Sequence, residues 1–468
     1  MRFNSLDDWL SWQEILNPAE IDLGLERIAS VLSQAGLANT FSCPLITVAG
    51  TNGKGSVVAI LESIAIAAGL KVCSYTSPHL FRYNERIKIN RQAIDDTSLC
   101  EAFERIDQAR GEAELTYFEF GTLAAIDVFH HQQADLVILE VGLGGRLDAV
   151  NIMDSDISIL TSVAIDHVDW LGDNREAIGY EKAGVFRANK PVICGDIKPP
   201  KSVLQHAKEN ACELFLLGRD YAVLDDENDN NKWILQSDFH TIKDLPLPSL
   251  FGSFQKSNVA TALVAFQSLY KQGLLPDSVD LYNDELLSQG LRKIELLGRF
   301  QQLQQSPAVF VDVAHNPAAA ISLASQLQLS DTKQGKTWAI VAMLADKDVA
   351  AVIDEVASEV DCWCFAGLED VARGLAVFDL VDSLSQGQLV AINGDVLPLT
   401  KPQIQHDLSE NQCTILSDRL LLTNTVEQAC ELVLAKANKK DRIIIFGSFY
   451  TVAEAMQFFT SETMGLNH

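Results

Sequence analysis

Short apolar runs alternate with longer segments of helical spacing along this chain. Residues 44–48 form an apolar run that predicts a buried β-strand, and residues 57–70, whose one charged residue is Glu62, predict the helix that follows. Residues 134–141 are another apolar run, which predicts a central parallel strand because such strands are covered on both faces. This alternation predicts an α/β fold with a parallel sheet in its first part.

The strand pattern starts a second time around Gly298-Arg299-Phe300. We therefore place a domain boundary there and expect domains at residues 1–296 and 297–468 of this 468-residue chain. The second domain is expected to be an α/β domain as well. Its strands are predicted at residues 308–313, 338–343, 361–365, 389–392 and 442–446.

The stretch between the first predicted strand and helix is rich in glycine. Its sequence is Gly50-Thr51-Asn52-Gly53-Lys54-Gly55-Ser56. A strand, a glycine-rich loop and a helix form the context of a phosphate-binding loop, because backbone N–H groups and the positive end of the helix face the anion. Lys54 is placed to reach the β- and γ-phosphates of a nucleotide, and Ser56 can offer its hydroxyl to phosphate or Mg²⁺.

This loop departs from the strict phosphate-loop pattern at two positions. Val48 stands where the pattern has its first glycine, and Gly55 stands where a serine or threonine should follow the lysine. The alternative interpretation is a tight left-handed turn with a solvated lysine.

Polar side chains follow two of the predicted strands. Glu140 ends the run 134–141, ahead of a glycine cluster, and Asp312 ends the first strand of the second domain, with His315 close behind. Ligands of open α/β sheets bind beyond the carboxyl ends of strands, so Glu140 fits the role of a carboxylate that holds Mg²⁺. From the residues alone, His167 is a capping or core histidine and Lys182 is a solvated helix lysine.

Composition and charge restrict the partners of the chain. It is 47% hydrophobic with 13 prolines, which is typical of a globular protein. A net charge of −27 repels nucleic acid and anionic membrane, so we expect neither as a partner. Any anionic ligand must then be held by local cations, backbone amides or metal ions.

Cysteine usage and the first residues indicate the compartment. Nine cysteines are scattered without a C-x₂-C pair, and Met1-Arg2-Phe3-Asn4 lacks the apolar core of a signal peptide. The longest apolar run is too short to span a bilayer. We therefore expect a cytoplasmic protein with reduced thiols.

Eight short motifs resemble the Mur ligase superfamily and, within it, the folylpolyglutamate synthases. They lie at residues 50–56, 76–80, 140–148, 166–167, 181–184, 298–300, 312–317 and 446–449. They occur in the order of that family, whose phosphate loop ends in Gly-Lys-Gly-Ser/Thr. Residues 23–27, 245–248 and 447–453 are similar to the bacterial bifunctional branch, which is both dihydrofolate synthase and folylpolyglutamate synthase.

The resemblance implies an N-terminal P-loop ATPase-like domain, a C-terminal Rossmann-like domain and an ATP-dependent amide ligase. A carboxylate of dihydropteroate or of a tetrahydrofolate derivative would attack the γ-phosphate of ATP and become an acyl phosphate. The amino group of L-glutamate would then displace the phosphate. Two Mg²⁺ sites and Lys54 would screen the anions that meet in the first step. We expect a monomer.

The resemblance also implies roles for single residues. Ser77 and Glu140 would bind the Mg²⁺ that bridges the ATP phosphates, and His167 would bind a second Mg²⁺ near the acyl phosphate. Lys182 would be the carbamylated lysine of the family, whose carbamate stands beside that metal, and His315 would lie near the reacting groups. ATP would contact Asn258, Arg299 and Asp312, and the pterin would lie near Leu23, Gly24, Leu25, Thr116, Phe118, Leu147, Asp148 and Ala149.

One departure and three alternative functions stay open. Phe254-Gln255 stands where many family members carry His-Gln, ahead of the helix near Asn258. The chain could be a folylpolyglutamate synthase alone, a Mur-type cell-wall ligase, or a P-loop switch protein that needs neither folate nor glutamate. The short stretch before Gly50 argues against the additional sugar-nucleotide domain of a cell-wall ligase, and the motif at 312–315 argues against a switch protein.

Overall fold

The computed structural model describes residues 1–17, 19, 21–330, 334–371, 373–393 and 413–465. The chain divides into two compact units. Unit 1 is Met1–Ala164 with Val168–Leu296, and unit 2 is Ile165–His167 with Leu297–His468. The three residues 165–167 are therefore part of unit 2, although unit 1 flanks them in sequence.

The main sheet of unit 1 has eight strands. They are β1 (Leu45–Ala49), β2 (Val72–Tyr75), β3 (Ile87–Ile89), β4 (Gln92–Ala93), β5 (Leu136–Glu140), β6 (Ile157–Leu160), β7 (Pro191–Cys194) and β8 (Glu213–Leu216). Their order is β4-β3-β2-β5-β1-β6-β7-β8. The strands from β2 to β8 in this order pair in parallel, and β3 and β4 pair antiparallel at one edge.

The inner parallel strands of unit 1 are buried on both faces. In β1, Leu45 and Ala49 belong to one apolar cluster, whereas Ile46 and Val48 belong to a second. Successive side chains of a strand point to opposite faces, so each face of the sheet has its own core layer. This burial explains why the sequence of β1 is continuously apolar rather than alternating.

A smaller antiparallel sheet completes the strands of unit 1. It consists of β9 (Tyr221–Asp225), β10 (Lys232–Ser237) and β11 (Ile242–Pro246), in the order β11-β10-β9. The acidic and amide-rich residues 226–231 connect β9 to β10, as expected for a solvated hairpin tip.

The described residues of unit 2 form a seven-stranded sheet. Its strands are β12 (Gln301–Gln305), β13 (Ala308–Asp312), β14 (Thr337–Val341), β15 (Cys362–Ala366), β16 (Cys413–Ile415), β17 (Leu420–Thr423) and β18 (Arg442–Phe446). Their order is β12-β13-β18-β14-β15-β17-β16. The five inner strands are parallel, and both edge strands are antiparallel to their neighbours. The predicted α/β class is confirmed for both units.

Helices connect most of these strands, and among the described residues none is long and apolar enough to cross a membrane. The helices of unit 1 are α1 (Leu6–Leu16), α2 (Glu26–Gln34), α3 (Lys54–Ala67), α4 (Asp96–Arg110), α5 (Tyr117–His130), α6 (Val168–Leu171), α7 (Arg175–Ala183), α8 (Lys201–Glu209), α9 (Phe254–Lys271) and α10 (Asp284–Arg292). Those of unit 2, within the residues that the structure describes, are α11 (Pro317–Leu329), α12 (Val349–Val356), α13 (Val377–Asp382), α14 (Gln386–Asn393), α15 (Val426–Lys436) and α16 (Phe449–Gly465).

One predicted strand is wrong. Residues 389–392 lie in α14 and not in a strand. Leu389 and Ile392 are buried three residues apart, while Val390 between them is 40% exposed, which is the pattern of one helix face. A run of four apolar residues does not distinguish a short strand from a helix segment. Here the buried residues have helical spacing, and the segment is a helix.

Candidate active site

The glycine-rich loop connects β1 to α3 as predicted, and a neighbouring segment holds its shape. Gly50 has φ +147°, and a Cβ there would overlap the Thr161 hydroxyl. The Thr161 hydroxyl donates to the Asn52 carbonyl at 2.7 Å, and Asn52 N–H donates to Ser162 Oγ at 3.1 Å. Thr51 Oγ1 accepts a hydrogen bond from Ala164 N–H at 3.0 Å. The loop is therefore preformed, as a phosphate-binding loop requires.

The helix side of the same loop approaches Asn258. Gly53 has φ +87°, and a Cβ on it would lie 3.0 Å from Asn258 Oδ1. The side-chain amide of Asn258 donates to Gln255 Oε1 at 2.8 Å, and Gln255 is buried. The structure thus brings Asn258 of helix α9 to the glycine-rich loop, over 200 residues away in sequence.

Two lysine ammonium groups meet at one carbonyl of this loop. Lys54 Nζ donates to Gly50 O at 3.0 Å and to Thr51 O at 3.2 Å. Lys182 Nζ donates to Gly50 O at 3.1 Å, and the residue is only 5% exposed. The interpretation of Lys182 as a solvated helix lysine is therefore wrong. Lys182 lies in the last turn of α7, and its side chain brings a second ammonium group to the loop.

Glu140 and Ser77 lie at the ends of neighbouring strands. Glu140 is the last residue of β5 and is 4% exposed. Ser77 follows β2, and its N–H donates to Glu140 Oε2 at 3.3 Å. Since β2 and β5 are adjacent and parallel, their carboxyl ends meet at one edge of the sheet.

No group of three His, Cys, Asp or Glu side chains suited to a metal ion occurs among the described residues. Mg²⁺ uses one or two protein carboxylates and completes its octahedron with water and phosphate oxygens. The pair of Glu140 and Ser77 fits such a site, in which a bound nucleotide would supply the remaining ligands.

Asp148 organises the glycine cluster that follows Glu140. Its carboxylate accepts hydrogen bonds from Leu143 N–H at 2.8 Å and from Val150 N–H at 3.0 Å. Burial raises the pKa of Asp148 to about 6, although these bonds and Lys54 oppose the shift. The carboxylate therefore holds the turn that contains Leu147 and Ala149.

The residues expected near the pterin lie on three connected segments of unit 1. Phe118 lies against Gly142, where a Cβ would come within 2.7 Å of Phe118 Cζ. Thr116 caps α5, and Glu119 accepts its N–H at 2.8 Å. The Arg27 guanidinium pairs with Glu119 at 2.9 Å and also with Asp22. Through this ion pair, the segment of Leu23, Gly24 and Leu25 is tied to the start of α5.

A buried arginine, Arg86, lies near the start of α5, and the sequence analysis gave it no role. Arg86 donates to His79 Nδ1 at 2.9 Å, and its guanidinium carbon lies 5.0 Å from the Tyr83 ring centroid and 5.6 Å from that of Tyr117. Burial and Arg86 lower the pKa of His79 to about 4, so His79 is neutral at pH 7.

In unit 2, Asp312 orients the segment of Gly298-Arg299-Phe300. Asp312 accepts hydrogen bonds from Phe300 N–H and from Ala314 N–H, both at 2.8 Å. Burial raises the pKa of Asp312, and Arg299 opposes that shift. The guanidinium of Arg299 lies 5.2 Å from the ring centroid of Phe449, a cation–π distance.

A charged cluster surrounds Asp166 in unit 2. Lys347 Nζ donates to Asp166 Oδ1 at 2.8 Å, Asn316 Nδ2 donates to Oδ2 at 3.0 Å, and His315 Nε2 lies 3.5 Å from Oδ2. Burial opposes ionisation of Asp166, but His315, His167 and Lys347 together hold its pKa well below the usual range. Asp166 is therefore a carboxylate at pH 7.

His167, next to Asp166, directly precedes helix α6 and is not a core residue. Its side chain is 33% exposed, and its φ of +52° places the backbone in the left-handed region. Burial lowers its pKa to about 4. Its Nδ1 lies 3.8 Å from Asp346 Oδ2. The predicted core role is therefore wrong, the capping role stays a prediction, and the ring is neutral at pH 7.

Sequence reasoning missed Asp346 and Lys347 of this cluster, and Arg373, whose Nη1 lies 3.7 Å from Asp346 Oδ1. Asp346-Lys347-Asp348 is a charged triplet just beyond β14, so the rule that polar residues follow strand ends could have found it. Arg27 and Glu119 left no comparable signal, because their ion pair joins residues 92 positions apart.

Comparisons with known proteins identify relatives along nearly the whole chain. Residues 48–266 match the family model of the Mur ligase middle domain, and residues 298–449 match that of the Mur ligase glutamate ligase domain. The chain is 38% identical over 463 residues to the dihydrofolate synthase/folylpolyglutamate synthase of Escherichia coli (strain K12), covering 98% of this chain and 97% of that protein.

Solved structures give the same result. The structure of E. coli FolC in complex with DHPP and ADP is 37% identical, with a TM-score of 0.84 over 98% of this chain and 99% of that one. A bifunctional folylpolyglutamate synthase/dihydrofolate synthase with Mn, AMPPNP and L-glutamate bound has a TM-score of 0.81 at 37% identity, covering 97% of this chain and 98% of that one.

Proposed function

The chain belongs to the Mur ligase family, in its group of dihydrofolate synthases/folylpolyglutamate synthases, and on that premise we propose that it ligates L-glutamate to dihydropteroate and to reduced folates at the expense of ATP. The observation that carries the proposal is the preformed glycine-rich loop with Lys54 at the Gly50 carbonyl. In a chain of net charge −27, such a local cation together with backbone amides is what an anionic nucleotide requires.

The reaction proceeds in two displacement steps. A substrate carboxylate oxygen attacks the γ-phosphorus of ATP, the bond to the β-phosphate bridging oxygen breaks, and ADP leaves. The glutamate amine then attacks the carbonyl carbon of the acyl phosphate, the C–O bond to phosphate breaks, and the amine proton is lost. ATP is needed because a carboxylate has no leaving group of its own.

The first step brings two anions together, so cations at the junction matter most. Lys54 turns from the loop carbonyls to the β- and γ-phosphates, while the loop amides of residues 50–56 hold the rest of the triphosphate. Asn258, Arg299 and Asp312 are proposed contacts of ATP, with Arg299 on phosphate and Asp312 on the nucleoside.

Two Mg²⁺ sites are proposed. Ser77 and Glu140 would hold the first ion, and His167 would contribute to the second. When bound, Mg²⁺ neutralises phosphate charge and fixes the geometry of phosphoryl transfer. A relative whose structure holds Mn, AMPPNP and L-glutamate supports a metal at the nucleotide.

We propose carbamylation of Lys182. The lysine is buried beside a second ammonium group, that of Lys54, at the same carbonyl. A carbamate would replace one of two neighbouring positive charges with a negative one that does not repel a metal ion. Intact-mass measurement of the protein under CO₂ should show one added carboxyl group that Lys182→Ala abolishes. An unmodified mass in a fully active enzyme would contradict this.

Residues 1–296 are proposed as the ATP-binding domain and residues 297–468 as the glutamate ligase domain. The pterin is proposed to lie near Leu23–Leu25, Thr116, Phe118 and residues 147–149, which Arg27 and Asp148 hold in place. The nine cysteines are free thiols, which agrees with a proposed cytoplasmic location. We propose a monomer without nucleic acid or membrane partners.

Coupled measurement of ADP release tests the function. Purified protein should release ADP with ATP, Mg²⁺ and glutamate only when dihydropteroate or tetrahydrofolate is added, and with either of them. Turnover of tetrahydrofolate alone would reduce the assignment to a folylpolyglutamate synthase. ADP release without any acceptor would favour the P-loop switch.

A further inference from the structure

The glycine-rich loop takes its shape from residues 161–164, the segment that directly follows β6. The Thr161 hydroxyl donates to Asn52 O at 2.7 Å, and Thr51 N–H donates to Ser162 O at 2.8 Å. Ala164 N–H donates to Thr51 Oγ1 at 3.0 Å. In the proposed function this loop holds the triphosphate of ATP, so the residues that fix this segment also shape the nucleotide site.

An ion pair holds Val163, in the middle of the segment. Val163 N–H donates to Asp196 Oδ2 at 2.9 Å, and the Val163 carbonyl accepts a hydrogen bond from Arg175 Nε at 2.8 Å. Arg175 Nη2 donates to the same Asp196 Oδ2 at 2.8 Å, which closes a ring of three hydrogen bonds. Val163 is 4% exposed, and main-chain groups buried to this extent need partners. The ion pair supplies a partner for both of its main-chain groups.

The same ion pair joins three elements of unit 1. Arg175 is the first residue of α7, and Asp196 follows β7, which lies beside β6 in parallel. Asp196 Oδ1 accepts a hydrogen bond from Lys198 N–H at 2.9 Å, and Arg175 Nη2 also donates to Lys198 O at 3.0 Å. The guanidinium and the carboxylate are therefore each fixed by the backbone as well as by each other.

The attraction between the two charges is not the main effect of this pair. The Arg175 side chain is 43% exposed, and an ion pair at such a position adds little to stability. The Asp196 side chain, in contrast, is 10% exposed and accepts hydrogen bonds from two main-chain N–H groups. The pair therefore acts on the position of the backbone at Val163, and the residues on either side of Val163 bind Thr51 and Asn52 of the loop.

On the basis of the function proposed above, we propose that Arg175 and Asp196 are positioning residues of the nucleotide site. They fix Val163, and through residues 161–164 they hold the glycine-rich loop in the shape that binds phosphate. Helix α7 then supports the loop from both of its ends, because its last turn carries Lys182, which donates to Gly50 O at 3.1 Å.

The first test is the affinity of Arg175→Gln for ADP, measured by isothermal titration. The Kd should rise about 10-fold, the factor expected for the loss of a hydrogen bond from a charged group. Arg105→Gln is the matched control, because the Arg105 side chain is also 43% exposed and pairs with a buried carboxylate, that of Asp127, at 2.6 Å. Both variants should lose similar thermal stability, but only Arg175→Gln should lose affinity for ADP.

Hydrogen–deuterium exchange measures the loop itself, without nucleotide. Peptides that cover residues 48–56 and 161–166 should exchange faster in Arg175→Gln than in the wild-type protein, and Arg105→Gln should leave them unchanged. These peptides report the position of the loop, which a general loss of stability would not change selectively.

A second variant tests the partner carboxylate. Asp196→Asn keeps the shape of the side chain, so it also serves if Arg175→Gln does not fold, and it should have the same effects. Combining the two changes should weaken ADP binding by less than the product of the separate factors, because both break one ring of hydrogen bonds. Arg175→Lys keeps the charge without the fork and should weaken ADP binding less than Arg175→Gln.

Two outcomes would overturn the inference. One is an ADP affinity and a loop exchange rate of Arg175→Gln equal to those of the wild-type protein, and the other is an equal loss of both in Arg105→Gln. Failure of the proposed function is distinguishable, since the wild-type protein would then ligate no glutamate, whereas exchange of the loop would still separate the two variants.

Discussion

Three buried carboxylates have different structural roles. Glu140 and Asp312 end strands, and Asp148 follows the glycine cluster after Glu140. Asp148 and Asp312 each accept two backbone hydrogen bonds of 2.8–3.0 Å, and each thereby fixes a turn. Glu140 accepts the Ser77 N–H at 3.3 Å, beside the glycine-rich loop. Position at a strand end identified Glu140 and Asp312 from the sequence, and the family resemblance supplied Asp148, but their backbone partners required the structure.

The first prediction concerns Glu140. Glu140→Ala should lower kcat about 100-fold, or about 3 kcal/mol of transition-state stabilisation, because the proposed metal site loses its carboxylate. The measurement is kcat at saturating Mg²⁺. Glu213→Ala is the matched control, since Glu213 is an exposed glutamate on a strand of the same sheet. Near-normal turnover of Glu140→Ala would remove Glu140 from the site.

The second prediction concerns the pH dependence of stability. Burial raises the pKa of Asp148 from 3.8 to about 6, so between these values the folded state binds more protons than the unfolded state. The contribution of Asp148 to stability is therefore complete below pH 3.8 and is lost as the pH rises through 6. Asn does not titrate, so the free energy of unfolding of Asp148→Asn relative to wild type should increase by about 2 kcal/mol from pH 4 to pH 7.

Denaturant titration of both proteins at the two pH values measures this difference. Any hydrogen bond that Asn fails to make shifts the relative stability equally at both pH values, so the change between them isolates the titration. A pH-independent difference would show that Asp148 ionises normally.

At the scale of elements, the local sequence pattern predicted neighbouring elements correctly. It did not predict which residues distant in sequence contact each other. The glycine-rich loop and the strand and helix that flank it are contiguous in sequence, so residues 44–70 were sufficient to predict all three. The Asp166 cluster joins loops that are up to 181 residues apart, and no spacing rule connects them. The strand predicted at 389–392 failed because four apolar residues fit either periodicity.

The third prediction tests the phosphate-binding loop. Gly50→Ala should weaken ADP binding more than 10-fold, because φ of +147° is open to glycine alone and a Cβ would overlap the Thr161 hydroxyl. Gly36→Ala is the control, because Gly36 has φ +71° but a Cβ added there would meet nothing within 4 Å. Isothermal titration with ADP should show near-normal affinity for the control. Equal affinities of the two variants would mean that the loop does not hold phosphate.

At the scale of the whole molecule, the fold class followed from the sequence because both units use the same alternation of buried strand and helix. The net charge of −27 argued against nucleic acid and anionic membrane as partners, but it did not identify a ligand. It indicated only that an anionic ligand would need local cations. The resemblance identified the ligase chemistry, and relatives covering 98% of this chain carry the family assignment. Lys347 lay outside the motifs of that resemblance, and its ion pair with Asp166 became visible only in the fold.

The central claim is that one chain activates two different carboxylates as acyl phosphates before glutamate attacks. Dihydropteroate and tetrahydrofolate, each labelled with ¹⁸O in the reacting carboxylate, should be incubated separately with the protein, ATP, Mg²⁺ and L-glutamate. Mass spectrometry should then find the ligated product together with one ¹⁸O atom per inorganic phosphate released, for both acceptors. Ligated product accompanied by unlabelled phosphate, or failure to ligate one or both acceptors, would contradict the account.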